Sequence, residues 1–286
     1  MSAAVAVQGT ESLQEMITRE ISAADFHLPV FNQVAIKLQE SLNDPDFSFQ
    51  DLEALVLEDP SLVGQILKTA NSAFYRGMGD ITTVKQAILR LGSQQVASLA
   101  MLVSQKQCYA SRTPEIRRRM EMLWEHSFAS ALGCEWIFNS LGGDGPLAFV
   151  CGLLHDIGKL GILKVIEQLQ TGSEGALAFP VESVDEILAS SLHVECGVVL
   201  ARAWNLPEPF ASVLRDHHGE AVGKQDQLLL AVRLMNLVSQ SLGHSLESGE
   251  AVEPAASIEA QLLGLSEIRL AELEIHIEDA LARAEF

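Results

Sequence analysis

The sequence has 286 residues, a net charge of −19 at pH 7, 48% hydrophobic residues and 20% charged ones. That hydrophobic share excludes a disordered chain. The acidic excess argues against a nucleic-acid partner, which needs Lys and Arg to neutralise phosphates, and the arginine triplet Arg117, Arg118 and Arg119 reads as one solvated helical turn. Aromatics are only 6%, while Leu, Ala, Glu and Gln recur throughout, a mix that favours helix over strand.

The N-terminus, Met1–Met16, has no basic start and no long apolar run, so no secretory leader is expected. No apolar run elsewhere approaches a bilayer-crossing length. Cys108, Cys134, Cys151 and Cys196 are scattered and form no CxxC pair, which fits small buried residues in a reducing cytosol. A cytoplasmic protein is expected.

In chain order, Ser48 stands three residues before Asp51 and ahead of Leu52, Leu55 and Val56, a capping box followed by a helical stripe. Asp59-Pro60 opens a second helix with Leu62, Val63, Ile66, Leu67 and Ala70 on its apolar face. A third starts at Thr82-Thr83, carries Val84, Ala87, Ile88 and Leu91, and ends at Gly92. Asn71-Ser72 with Tyr75 reads as a helix end, and nothing alternates with period two over a useful length. The residues themselves establish a helical bundle here and no catalytic constellation.

Four blocks in this region resemble the successive motifs of the HDOD family: Leu28-Pro29, Asp59-Pro60-Ser61-Leu62, Asn71-Ser72-Ala73-Phe74-Tyr75 and Ala87-Ile88-Leu89-Arg90-Leu91-Gly92. Their shared order and spacing make the signal specific where any one block would be weak.

Five of the eight histidines fall between residues 126 and 218: His126, His155, His193, His217 and His218. Imidazole and carboxylate ligate iron, manganese, zinc or nickel, so with Asp156 such a set can build a mono- or dinuclear centre. Gly143-Asp144-Gly145-Pro146 breaks the chain and starts a helix whose stripe is expected to run from Phe149 through Val150, Leu153 and Leu154 to Ile157, with His155 and Asp156 off its axis. His126 lies on an earlier helix, and His193 begins a stretch leading through Gly197 and Leu200 to Trp204. Taken singly, each histidine reads as a core residue satisfied by hydrogen bonds, and His217-His218 as a wet helix end. His27, His244 and His276 receive no role.

The joint order of these residues resembles the wider HD superfamily, especially the HD-GYP branch of cyclic-dinucleotide phosphodiesterases. Gly152-Leu153-Leu154-His155-Asp156-Ile157-Gly158-Lys159 looks like its defining motif. The resemblance implies metal ligands at His126, His155, Asp156, His193, His217 and His218, and a phosphate contact at Lys159. Three positions depart from the pattern. Asn236 stands where a last metal-binding aspartate is expected, and a neutral amide is the weaker ligand. Met122 replaces a glutamate, and Gly219-Glu220-Ala221-Val222-Gly223-Lys224 replaces the glycine- and tyrosine-bearing motif.

Residues 243–257 read as a loop, followed by helical stretches over Ile258–Leu263 and from Ser266 onward, which either cover the bundle or form a dimer contact. The expected architecture is therefore all-α: an extension over 1–20, an N-terminal helical subdomain over 21–112, an HD-like helical subdomain over 113–245 and a helical tail over 246–286. The resemblance implies a regulatory output module of bacterial signal transduction, non-catalytic, with a vestigial divalent-metal site and a signalling protein or a nucleotide as partner. The alternative is a metal-dependent phosphohydrolase or phosphodiesterase acting on a nucleotide or cyclic dinucleotide.

Overall fold

Helices begin where the sequence supplies caps. The computed structural model describes residues 12–23, 48–58, 60–71, 80–172, 178–219, 226–246 and 253–283. Leu28-Pro29, Asp59, Ser72–Tyr75 and the 220–224 stretch lie outside the described residues.

Helix α1 spans Leu13–Ser22 behind a Ser12–Glu15 capping box. α2 (Phe49–Leu57) starts at the predicted Ser48–Asp51 box, and α3 spans Pro60–Ala70. Asn71 then ends α3 by folding its side chain back: Nδ2 donates to Leu67 O at 2.9 Å and to Ile81 O at 2.7 Å, while Oδ1 accepts from Ile81 N at 2.7 Å. α4 (Val84–Leu91) is capped by Thr83 with Gln86. Gly92, at φ 86°, ends α4 and begins α5 (Ser93–Cys108), a backbone angle that glycine adopts without a Cβ clash.

The long helix α6 (Pro114–Leu141) closes on left-handed Gly142. It packs against α7 (Gly145–Leu154), where Ala148, Phe149, Val150, Cys151, Leu153 and Leu154 are all buried. A helix apolar on every face can only sit at the centre of its core. Around it lie α8 (Ile157–Thr171), α9 (Val181–Ala189), α10 (Leu192–Ala203), α11 (Glu208–Asp216) and α12 (Gln227–Ser241). A 3-10 turn at Pro254–Ala256 leads to α13 (Ile258–Leu263) and α14 (Glu267–Arg283), which pack back on α12 and α6 respectively. No strand occurs among the described residues, so the all-α expectation holds.

Two hydrophobic cores form. The smaller gathers Leu52, Val56, Leu62, Ile66, Val84 and Ile88 from α2 to α4. The larger holds α6 to α12 together with the tail and buries Ile17 and Ile21 of α1. Helix α5 faces both: Val96, Ala97, Ala100 and Val103 enter the smaller core, and Leu99, Leu102, Cys108 and Tyr109 the larger. The four cysteines are buried and free, as their scatter predicts. Arg117 and Arg118 are exposed, but Arg119 pairs with Asp185 at 2.8 Å and is largely covered. No helix among the described residues is long and apolar enough to cross a membrane.

One expected element is corrected. The apolar stripe from Phe149 to Ile157 is not a single helix, because α7 stops at Leu154 and α8 starts at Ile157. Asp156 takes non-helical angles, φ −105° and ψ 17°. The break aims α8 at α10, whose backbone comes so close that a Cβ on Gly158 would fall on the His193 carbonyl oxygen. Only glycine permits that approach. The periodicity of buried residues runs through the break, which is why it is invisible in the pattern.

Candidate metal centre

Asp156 occupies the N-cap position of α8, where an aspartate ordinarily accepts a hydrogen bond from a first-turn amide. Here the side chain makes no such bond and turns into the core, 1% exposed. Forgoing a local cap to bury a carboxylate is costly unless other groups meet it.

Five imidazoles converge there from different elements. His126 comes from the middle of α6, His155 from the α7–α8 break, His193 from the first turn of α10, and His217 and His218 from the end of α11. His126 Nε2 and His155 Nε2 lie 3.4 and 3.5 Å from Asp156 Oδ2, while His217 Nε2 and His193 Nε2 lie 3.4 and 3.7 Å from Oδ1. Potential ligand atoms thus fall into two groups sharing the carboxylate: His126, His155 and Asp156, and Asp156, His193, His217 and His218, each within 4.8 Å. All six predicted ligands come together. All but His218 are buried.

The ring orientations are fixed from behind. His126 Nδ1 is 2.9 Å from His244 O, His155 Nδ1 2.7 Å from Gly152 O, and His193 Nδ1 2.6 Å from Ser190 O. His217 Nδ1 is 3.1 Å from Val213 O. A carbonyl only accepts, so each Nδ1 carries the proton and each Nε2 presents a lone pair inward, the arrangement that metal-binding histidines adopt.

Those lone pairs test whether a cation fits. Asp156 Oδ1, His193 Nε2 and His217 Nε2 are buried without a hydrogen-bond partner. Each such atom costs about 1–3 kcal/mol if nothing meets it. His126 Nε2 and His155 Nε2 stand 3.1 Å apart with both Nδ1 protons committed elsewhere, so two lone pairs face each other. A cation between such groups relieves all of these costs at once, and the donor set of imidazoles plus one carboxylate suits a divalent transition metal.

Charge at the centre is already arranged. Burial alone would raise the Asp156 carboxyl, but the Lys159 ammonium beside it outweighs that and holds it well below the usual carboxylate range. Lys159 is itself buried, its Nζ 2.8 Å from Asp156 Oδ2. Burial pushes His193 down to about 4 against the opposing pull of Asp156, which keeps that ring neutral at neutral pH.

A cavity of about 470 Å³ opens in front of the cluster. Lys159 lines it, as do Asp156, His126, His217 and His218. So does Asn236, whose Oδ1 is buried and without a hydrogen-bond partner among the described residues. Met122, one turn before His126, is half-buried and does not line the cavity.

Sequence reasoning missed two supports. His244, given no role, supplies the carbonyl that orients His126, and Ser245, Leu246, Ser257, Ile258 and Glu259 from the supposed loop and tail form a cavity wall. A backbone carbonyl leaves no trace in residue identity. Beneath the cluster, Gln105 Nε2 donates to Leu153 O at 3.1 Å and to Tyr109 Oη at 3.2 Å, and Tyr109 Oη meets Ser127 Oγ at 3.2 Å. That buried network joins α5, α6 and α7 directly behind His126 and His155, and Gln105 gave no sequence signal for it, because Gln94, Gln95 and Gln107 lie on the same helix.

The fold and this cluster define an all-helical protein with a buried His/Asp centre. The HDOD domain family matches residues 28–220, two thirds of the sequence, and the chain belongs to it. A Geobacter sulfurreducens HDOD domain protein of unknown function superposes with a TM-score of 0.73 at 22% identity, covering 94% of this chain and 96% of that one. A Shewanella amazonensis protein provisionally described as a metal-dependent phosphohydrolase superposes with a TM-score of 0.70 at 19% identity, over 94% and 98%. In sequence, an uncharacterized Treponema pallidum protein is 26% identical over 196 residues, 67% of this chain. The chain spans only 37% of that relative's length.

Proposed function

We propose that this chain is a signal-transduction output module that binds a divalent transition metal at the His/Asp cluster and does not turn over a phosphoester. The observation that carries this reading is the charge of the centre. Five imidazoles share one carboxylate, and the amide of Asn236 lines the cavity where a second carboxylate would complete a hydrolytic pair. Lys159 occupies one oxygen of Asp156, which further lowers the negative charge left for two cations. His126 and His155 on one side, and His193, His217 and His218 on the other, would hold a bound ion with the shared carboxylate of Asp156. Such an ion would supply Lewis-acid charge beside an anionic ligand. The module's state is then read by a signalling partner or set by a bound nucleotide.

The second reading, a metal-dependent phosphohydrolase or phosphodiesterase, is favoured by one feature: a cavity large enough for a small ligand opens onto the cluster past Lys159. The experiment separates the two. Protein purified without chelator or affinity tag is analysed for iron, manganese, zinc and nickel, then assayed on a generic phosphodiester and on cyclic dinucleotides. The expected result is near-stoichiometric metal, lost in His155→Ala and Asp156→Ala, with no turnover. Turnover that those two substitutions abolish would replace the first reading with the second.

A further inference from the structure

The cavity has a second charged feature, remote in sequence from the histidine motif. On α12, Arg233, Asn236 and Gln240 line it at i, i+3 and i+7, while Leu230, Ala231, Leu234, Met235 and Val238 of the same helix are buried in the core. Arg233 reaches across to the tail: its Nε donates to Glu259 Oε1 at 3.0 Å, and its Nη1 donates to the carbonyl of Gly219, just past His217-His218. Glu259 also lines the cavity and is 6% exposed.

A Glu–Arg pair with the carboxylate buried and the guanidinium still partly in water is a weak source of stability, because desolvating the carboxylate offsets much of the attraction. Its place on a cavity wall suggests another use. A guanidinium is a planar fork of five donors that matches phosphate oxygens two at a time. Only Nε and Nη1 of Arg233 are engaged among the described residues. With 38 acidic residues against 19 basic ones, the molecule repels anions at long range, so an anionic ligand is recognised only where cations are placed locally. Arg233 and Lys159 are two such cations on one cavity. Leu123, Leu237, Leu246 and Ile258 line the same space, leaving room for an apolar body beyond the anionic head.

We infer that Arg233 is the anion-recognising residue of this cavity, that Glu259 is its built-in counter-ion, and that a small phosphomonoester binds by taking the place of Glu259 on the guanidinium. Displacing Glu259 loosens the Pro254–Leu263 segment from the wall, so occupancy of the cavity is transmitted to the tail. The inference rests on the proposed reading only in placing the ligand beside the metal centre.

The test measures binding of inorganic phosphate and of phenyl phosphate by calorimetry on the full chain, together with metal content of every variant and hydrogen exchange over residues 254–263. Glu259→Gln removes a competing charge and tightens phosphate binding, by roughly fivefold or more. Its tail exchanges faster even without phosphate, as the wild type's does with it. Arg233→Gln weakens binding at least about tenfold, and Arg233→Lys, which keeps the charge and loses the fork, falls between. Unchanged or weaker phosphate binding in Glu259→Gln would overturn the inference even if Arg233→Gln fails to fold. Metal retained with no phosphate response sinks the inference alone. Phosphate effects without any metal sink the metal-centre reading alone.

Discussion

At Asn236 the whole functional question rests on one atom. Its Oδ1 is buried and without a hydrogen-bond partner among the described residues, and the side chain lines the cavity with His126, Asp156 and His217. An aspartate there would add the negative charge that the cluster lacks. Asn236→Asp is therefore expected to raise affinity for manganese or zinc at least about tenfold, measured by competition with a chelating indicator. Equal affinity would mean that residue 236 faces the ligand rather than the ion, and the account of lost hydrolysis would need another cause. The clustering of the candidate ligands was legible through the resemblance, because His155-Asp156 and the order of the histidines are side-chain identities that a sequence shows. What held them was not. The carbonyls of Gly152, Ser190 and His244 orient three of the rings, and any residue can supply a carbonyl. Arg233 and Glu259, 26 residues apart, gave no local pattern either.

Caps made the helices legible: the boxes at Ser48–Asp51 and Thr83–Gln86 each mark a start that the backbone adopts. The α7–α8 break was hidden because both sides of it are buried, and the signal for it was the requirement for glycine at 158 rather than any polar punctuation. At the same scale, α5 and α6 enclose a carboxyl with a pH dependence of its own. Glu135, largely buried beside Gln95, is raised to about 7 by burial, against a smaller lowering by its hydrogen bond to Gln95. Its folded pKa lies above its unfolded one, so below about pH 4.5 it costs nothing. The cost of ionising it inside the fold grows as pH rises and is complete above pH 7. That cost is about 2 kcal/mol at one carboxyl whose edge water still reaches. Urea unfolding at pH 4 and pH 8 is expected to show Glu135→Gln matching the wild type at the lower pH and exceeding it by that amount at the higher. Parallel curves at both pH values would show that the carboxyl is already ionised in the fold.

Across the molecule, the two cores are joined by α5, which lays one stripe in each. Gln105 on that helix also bonds the carbonyl of Leu153, two residues before His155, so the helix touches the smaller core on one side and the floor of the cluster on the other. The expected subdomain boundary near residue 112 falls just past its end, and whether the halves unfold separately depends on this one element. A shared helix predicts that they do not. A metal that binds only the folded protein stabilises it by about 3 kcal/mol at a hundredfold excess over its dissociation constant. If α5 couples the cores, calorimetry with chelator and then with saturating zinc or manganese gives a single transition that moves up by several degrees as one peak. If it does not, two transitions appear and only that of the histidine-bearing half shifts. In that case the N-terminal helices fold apart from the centre, and a metal-dependent signal could not reach them through the fold. The substitution Gln105→Leu sharpens the comparison, because it removes the bond to Leu153 while keeping a side chain of similar size at a buried position. A single transition that splits in this variant would locate the coupling in that buried network, whereas one that merely shifts would place it in the packing of Leu99 and Leu102.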